Sequence, residues 1–195
     1  MASTKASKDA LRKEIAKRIE LLTDEEKRKQ SDKVIQKLFG LQAFLNSDRI
    51  SVYLSTENEI NTENIVRRIF ELNKKCYVPR YDRQIMEMVK LNDMKDWETL
   101  PLTKWKIKQP LLSEVRENAL DAGGLDLIIL PGVAFTADGK RLGHGKGYYD
   151  KFQSNLLKKQ KFHPTTIGIA LKEQIVDDIP TNEYDVKLDM VLYPD

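Results

Sequence analysis

The amino-acid sequence predicts a three-layer α/β/α domain built on a mostly parallel central sheet. Three observations carry that prediction. Short apolar, strand-like runs recur at 50–54, 75–78, 126–130, 165–171 and 188–193. Stretches with the spacing of amphipathic helices separate several of them. The run at 126–130 is almost wholly apolar after Asp126, which suits a strand buried on both faces of a parallel sheet. Strands alternating with helices make the order Rossmann-like. No repeat, low-complexity tract or linker divides the 195 residues, so they read as a single domain.

Each element has its own local signal. Residues 1–7 are small and polar and are expected to be loose. From Lys8 onward, Leu11, Ile15, Ile19 and Leu22 recur at steps of four, four and three, one face of a helix. Thr23 and Glu26 form a capping-box pattern that opens a second helix, with Val34, Ile35 and Leu38 facing inward and Gly40 at its end. After the strand at 50–54 comes a polar loop, and Thr62 is placed to cap a helix bearing Ile65, Ile69 and Leu72. The strand at 75–78 completes a βαβ unit with a right-handed crossover. Ligands collect at the carboxyl ends of such strands, which puts the loop at 54–59 in position to meet one. Residues 92–123 have few periodic apolar positions and are expected to hold a hairpin or covering loop, with a short helix around 114–120. Tyr149, Phe152 and Leu156 mark a later helical face that fades in Lys158-Lys159-Gln160-Lys161.

Composition excludes several classes. An apolar share of 41% with 32% charged residues is that of an ordinary globular chain long enough to bury a core. The formal charge of +3 comes from 33 basic and 30 acidic residues, without a basic block, so a nucleic-acid partner is not expected and any anion preference must be local. One cysteine, Cys76, rules out an internal disulfide and sits in a strand-like run as a packing residue. No apolar run approaches the roughly 20 residues needed to span a bilayer, and the N-terminal residues lack the apolar stretch of a secretory signal. The expectation is a cytoplasmic protein with no membrane partner.

The chemistry concentrates between 125 and 152. Pro131-Gly132 closes the apolar strand, Asp138-Gly139 marks a turn, and Gly143, Gly145 and Gly147 alternate with His144 and Lys146. Glycine lets the backbone adopt positive φ, so successive N–H groups can converge on an anion. Arg141 and Lys146 add positive charge, and a helix opening at Tyr148 would point its free N–H groups at the same place. Asp150 could then hold Mg²⁺ beside a phosphate. The spacing is neither Gly-x-Gly-x-x-Gly nor the P-loop pattern ending in Gly-Lys-Ser/Thr.

The whole string narrows the reading. Leu130-Pro131-Gly132-x-x-Phe135, then Asp138-Gly139-x-Arg141-Leu142-Gly143-x-Gly145-x-Gly147-Tyr148-Tyr149-Asp150, closely resembles the signature of the 5-formyltetrahydrofolate cyclo-ligase family. Leu11-Arg12, Leu54-Ser55 with Glu59, Pro79-Arg80, and Pro180-x-x-Glu183-x-Asp185-x-x-Leu188-Asp189 extend the resemblance over most of the chain. The resemblance implies ATP-dependent closure of 5-formyltetrahydrofolate, with or without a polyglutamate tail, to 5,10-methenyltetrahydrofolate; a monomer is expected. It implies that ATP lies between Lys8, Asp9, Ala10, Leu11 and Arg12 and the loop Arg141, Leu142, Gly143, His144, Gly145, Lys146, Gly147, Tyr148 and Tyr149. By itself the charged start of the first helix reads as a solvated face; the resemblance instead brings Arg12 over the nucleotide and near the folate. It further implies that the folate meets Leu54, Glu59, Met86, Trp105 and the loop from His144 to Tyr148. Arg141, Lys146 and Tyr148 are implied at the reacting groups and His144 as a contact, since that position varies among relatives. Asp150 and Glu183 are the candidate Mg²⁺ carboxylates, with Asp185 and Asp189 as alternatives to Glu183.

The implied chemistry suits these residues. A formyl oxygen is a poor leaving group until phosphorylated, so the site needs positive charge at the phosphates and an in-line geometry, but no protein nucleophile. Two other classes compete: another phosphate-handling enzyme on a similar scaffold, such as a sugar-phosphate isomerase or CoA transferase relative, and a non-catalytic nucleotide- or RNA-binding module. The first lacks an obvious general-base motif near the loop. The second lacks exposed aromatic RNA-binding patterns.

Overall fold

The computed structural model describes residues 2–82 and 85–195. Helix α1 spans Ala2–Glu20, so residues 2–7 are helical rather than loose, and only residue 1 of that stretch lies outside the described residues. Nothing before Lys8 breaks a helix: the segment has neither Gly nor Pro. Helix α2 (Asp24–Phe39) opens with the expected capping box, in which the Glu26 N–H donates to Thr23 Oγ1 at 3.2 Å and the Thr23 N–H to Glu26 Oε2 at 2.8 Å. A single turn, α3 (Gln42–Leu45), buries Phe44 ahead of strand β1 (Arg49–Val52). Helix α4 (Glu63–Glu71) buries Ile65, Val66 and Ile69.

Thr62 does not cap α4 with its side chain. Its hydroxyl donates to the Tyr53 carbonyl at 2.7 Å and accepts from the Ser55 N–H at 3.2 Å. Asn61 Oδ1 takes over, accepting from the Glu63 N–H at 2.9 Å. A fully buried hydroxyl is drawn to the backbone groups that the end of β1 leaves open.

Strand β2 (Lys75–Tyr81) runs three residues past its expected end and pairs antiparallel with β3 (Met86–Leu91). Helix α5 (Met94–Thr99) follows, capped by Asp93, whose Oδ1 accepts from the Asp96 N–H at 2.7 Å. The helix expected around 114–120 is absent. There the chain runs along the outer side of β3: Lys90 N–H donates to the Glu117 carbonyl at 2.9 Å and Ala119 N–H to the Met88 carbonyl at 2.8 Å. β3 is an edge strand, and satisfying its open backbone groups outweighs a weak helical preference.

Strand β4 (Leu127–Leu130), the small hairpin of β5 (Ala134–Phe135) and β6 (Arg141–Leu142), helix α6 (Tyr148–Lys159), β7 (Thr165–Ile169) and β8 (Met190–Leu192) complete the chain. Six strands form one sheet in the order β3-β2-β1-β4-β7-β8, parallel except for β3. All four residues of β4 are 0% exposed although their side chains alternate between faces, so both faces of the sheet are covered. Each such Leu or Ile contributes about 2 kcal/mol of burial free energy. Asp126 stands just before β4 and accepts the N–H groups of Asp48 (3.0 Å) and Arg49 (2.7 Å), which aligns β1 with it. The chain passes outward from β1 through β2 to β3, then returns to β4 on the other side of β1. That reversal leaves a crevice outside the carboxyl ends of β1 and β4, where doubly wound sheets bind ligands.

Candidate active site

The crevice is furnished first by the β5–β6 hairpin. The Val133 N–H donates to the Leu142 carbonyl at 2.7 Å, which lays the returning strand beside the end of β4. Arg141 is thereby held inward with its side chain 5% exposed. Its Nη2 donates to both oxygens of Asp150, at 3.0 and 3.1 Å, and its Nη1 to the Pro131 carbonyl at 3.3 Å. The guanidinium lies 5.6 Å from the centre of the Tyr149 ring. Arg141 Nε is buried without a hydrogen-bond partner, as is the Tyr149 hydroxyl. The Arg141 Nε donor is thereby open to an acceptor.

The glycine loop links this pair. Gly145 (φ +94°) and Gly147 (φ +66°) take the left-handed backbone that side chains resist. Gly147 opens α6 without a side-chain cap, so the first-turn N–H groups remain available to an anion. Leu142 is buried, while His144, Gly145 and Lys146 are exposed.

Helix α1 comes back over this loop. Arg12 Nε donates to the Gly143 carbonyl at 2.9 Å and Nη1 to Asp9 at 2.5 Å, and its guanidinium lies against Gly145. Lys8 Nζ reaches Asp185 at 2.6 Å. Leu11 packs on the core, and Ala10 is exposed. The helix face that reads as solvated is thus a contact face.

The other wall is aromatic. The Tyr148 ring sits 5.2 Å from that of Tyr81, tilted by 60°, and its hydroxyl donates to the Asp82 carbonyl at 3.5 Å. Met86 is the direct cross-strand partner of Tyr81 and is 7% exposed. Burial pushes the Tyr81 phenol up to about 12 and that of Tyr149 well above its usual range, each also acting on the other, so both remain neutral donors near pH 7. Sequence reasoning missed Tyr81; its only signal was its place at the carboxyl end of a strand. Leu54 is buried after β1, and Glu59 Oε2 accepts from the Thr56 N–H (2.9 Å) and hydroxyl (3.0 Å), which closes the loop on itself. Trp105 is not a core residue: it is 69% exposed, with Lys104 Nζ 4.4 Å over its ring. A cavity of about 450 Å³ lies beside its segment, lined by Pro101, Leu102, Gln109 and Leu111 among others, and no glycine-loop residue lines it.

No group of three or more His, Cys, Asp or Glu side chains suited to a metal occurs among the described residues. Glu183 is exposed. Asp189 is engaged elsewhere, accepting from the Thr166 N–H (2.8 Å) and hydroxyl (2.7 Å) at the start of β7. Asp150 remains beside the loop, and the Val186 N–H donates to it at 3.4 Å, which draws in the chain next to Asp185. One or two carboxylates fit Mg²⁺, which keeps waters and takes its other ligands from phosphate.

Comparison with known proteins decides the family. The model of the 5-formyltetrahydrofolate cyclo-ligase family matches residues 4–194. The mouse 5-formyltetrahydrofolate cyclo-ligase is 45% identical over 192 residues, covering 97% of this chain and 95% of that protein. The chain belongs to the 5-formyltetrahydrofolate cyclo-ligase family.

Other members agree with this. A probable cyclo-ligase of Caenorhabditis elegans is 39% identical, covering 99% of this chain and 95% of that one. The NMR structure of the Aquifex aeolicus 5,10-methenyltetrahydrofolate synthetase superposes with a TM-score of 0.75 at 28% identity, over 95% of this chain and 88% of that one. Within this cyclo-ligase family member, the signature string maps onto the end of β4, the β5–β6 hairpin and the first turn of α6, all at one end of the sheet.

Proposed function

We propose that this protein converts 5-formyltetrahydrofolate to 5,10-methenyltetrahydrofolate at the expense of ATP, releasing ADP and phosphate. The observation that carries the reading is the convergence of Arg12, Arg141 and an uncapped α6 on one glycine loop, beside a wall of Tyr81, Met86 and Tyr148. Anion-binding groups and an aromatic wall meet there, which suits a substrate that carries both a phosphoryl group and a pterin.

The formyl oxygen attacks the γ-phosphorus and ADP leaves. N10 then attacks the activated formyl carbon and gives up its proton to solvent, the ring closes, and phosphate departs with the former formyl oxygen. Arg141, Lys146 and the loop N–H groups hold the phosphates, with Arg141 exchanging its hold on Asp150 for one on phosphate oxygen. Lys8 to Arg12 close over the nucleotide from α1. Tyr148 separates the nucleotide from the folate, and His144 is a contact. Glu59 accepts from the amino-pyrimidinone edge of the pterin, with Leu54, Met86 and Trp105 supplying apolar contact. Asp150 would hold Mg²⁺, which offsets phosphate charge when bound. Asp185, an alternative to the exposed Glu183 as second carboxylate, adjoins the Val186 N–H that meets Asp150 and would have to exchange Lys8 for the metal.

No helix among the described residues is long and apolar enough to cross a membrane; we place the protein in the cytoplasm, as a monomer without a nucleic-acid partner. The test is formation of the methenyl product, followed by absorbance, with and without ATP and Mg²⁺. ATP hydrolysis that occurs only with 5-formyltetrahydrofolate supports this reading. Hydrolysis independent of it favours another phosphate-handling enzyme.

A further inference from the structure

We propose that Gln109 is a positioning residue for the folate half of the site, acting through Tyr81; the folate role rests on the cyclo-ligase reading. The argument begins with the end of β2. Lys75 N–H donates to the Asp48 carbonyl at 2.8 Å, so odd-numbered residues of β2 turn their backbone groups toward β1. The ladder between these strands registers Ser51 with Tyr77 and goes no further. Pro79, the next odd residue, has no N–H to extend it. Tyr81 therefore lies beyond the β1–β2 ladder, with its N–H and C=O on the side that β1 no longer pairs. β3 cannot serve them. The Asp82 N–H donates to the Ile85 carbonyl at 3.0 Å, which makes Tyr81 and Met86 the pair without mutual hydrogen bonds.

One side chain satisfies both groups. Tyr81 N–H donates to Gln109 Oε1 at 3.1 Å, and Gln109 Nε2 donates to the Tyr81 carbonyl at 3.1 Å. A carboxamide has the donor and acceptor of a peptide unit, so Gln109 stands in for one residue of a missing strand. Glutamate would lose the donor, and asparagine would lose the reach. Arg80 adds a second latch, its Nη1 donating to the carbonyls of Leu111 (3.0 Å) and Glu114 (2.8 Å).

The clasp sets a distance that the reaction needs. Gln109 belongs to the exposed segment carrying Trp105 and the 450 Å³ cavity. Tyr81 touches Tyr148, which opens α6 beside the glycine loop. Releasing Gln109 lets the folate wall drift relative to Tyr148 while the nucleotide side keeps its anchors, Arg12 and Arg141. The expected signature is selective for one substrate.

The test is Gln109→Met, which keeps length and removes both hydrogen bonds, with Gln109→Glu as a second variant that removes only the donor. Steady-state kinetics should show KM for 5-formyltetrahydrofolate raised about tenfold in Q109M and by less in Q109E, with KM for ATP within about twofold of wild type. Hydrogen exchange on the free protein should show the Tyr81 amide losing protection while the amides of β4 keep theirs. Both KM values rising together, with β4 also losing protection, would reduce Gln109 to a scaffold residue and overturn the proposal. So would unchanged folate KM or unchanged Tyr81 exchange. A wild type that forms no methenyl product overturns the functional reading and the folate role with it, while the exchange experiment still decides the clasp.

Discussion

Arg141 Nη2 lies 3.0 Å from one oxygen of Asp150 and 3.1 Å from the other, and the glycine loop is the chain between these two residues. One comes from β6 and the other from the first turn of α6, so their ion pair fixes both ends of the loop. Asp150→Asn removes the charge and keeps the shape. The Arg141 guanidinium would then be buried without its counterion, and stability should fall by about 2 kcal/mol, read as a lower Tm. Activity should fall mainly in kcat and recover in part at raised Mg²⁺.

Glu59→Gln should behave differently. Its carboxylate is argued to orient the folate, so KM for 5-formyltetrahydrofolate should rise about tenfold with no recovery at raised Mg²⁺. Equal metal dependence of the two variants in steady-state assays would show these roles to be misassigned.

Arg12 and Lys8 tie α1 to the loop and to Asp185. Arg12→Ala should raise KM for ATP about tenfold or more, since a charge-assisted contact to phosphate is worth roughly 1.5–3 kcal/mol. ATP titration calorimetry of the variant checks this, and wild-type affinity would remove α1 from the nucleotide site.

Asp96 provides a pH test away from the site. Arg116 donates to both its oxygens at 2.7 Å, and this hydrogen-bonded pairing holds the Asp96 carboxyl below its usual range. A depressed folded value means the stabilisation is complete above the unfolded value of about 3.9 and is lost as pH falls through the folded value. Asp96→Asn should therefore lower Tm at pH 7, and the difference from wild type should shrink below about pH 4.

Cys76 is fully buried in β2, and burial pushes its thiol well above the ordinary range. Native protein should resist thiol-alkylating reagents at pH 8 and react once denaturant unfolds it. Rapid labelling under native conditions would mean that the β2 region opens locally.

The strands, the Thr23–Glu26 cap and the glycine loop were legible in the sequence because each is decided within a few neighbouring residues. The run at 126–130 announces a central strand by composition alone, and glycines at 145 and 147 permit a backbone that other residues resist. Residue 62 shows the limit of such signals: a threonine suited to cap a helix is buried and spends its hydroxyl on Tyr53 and Ser55. The helix expected at 114–120 likewise yields to the open edge of β3. Lys8 with Asp185, Arg12 with Gly143 and Gln109 with Tyr81 join residues from 28 to 177 positions apart. No periodicity encodes these pairs. They form because the ends of strands and loops leave polar groups open, and only the folded chain determines which distant side chain is near enough to satisfy them.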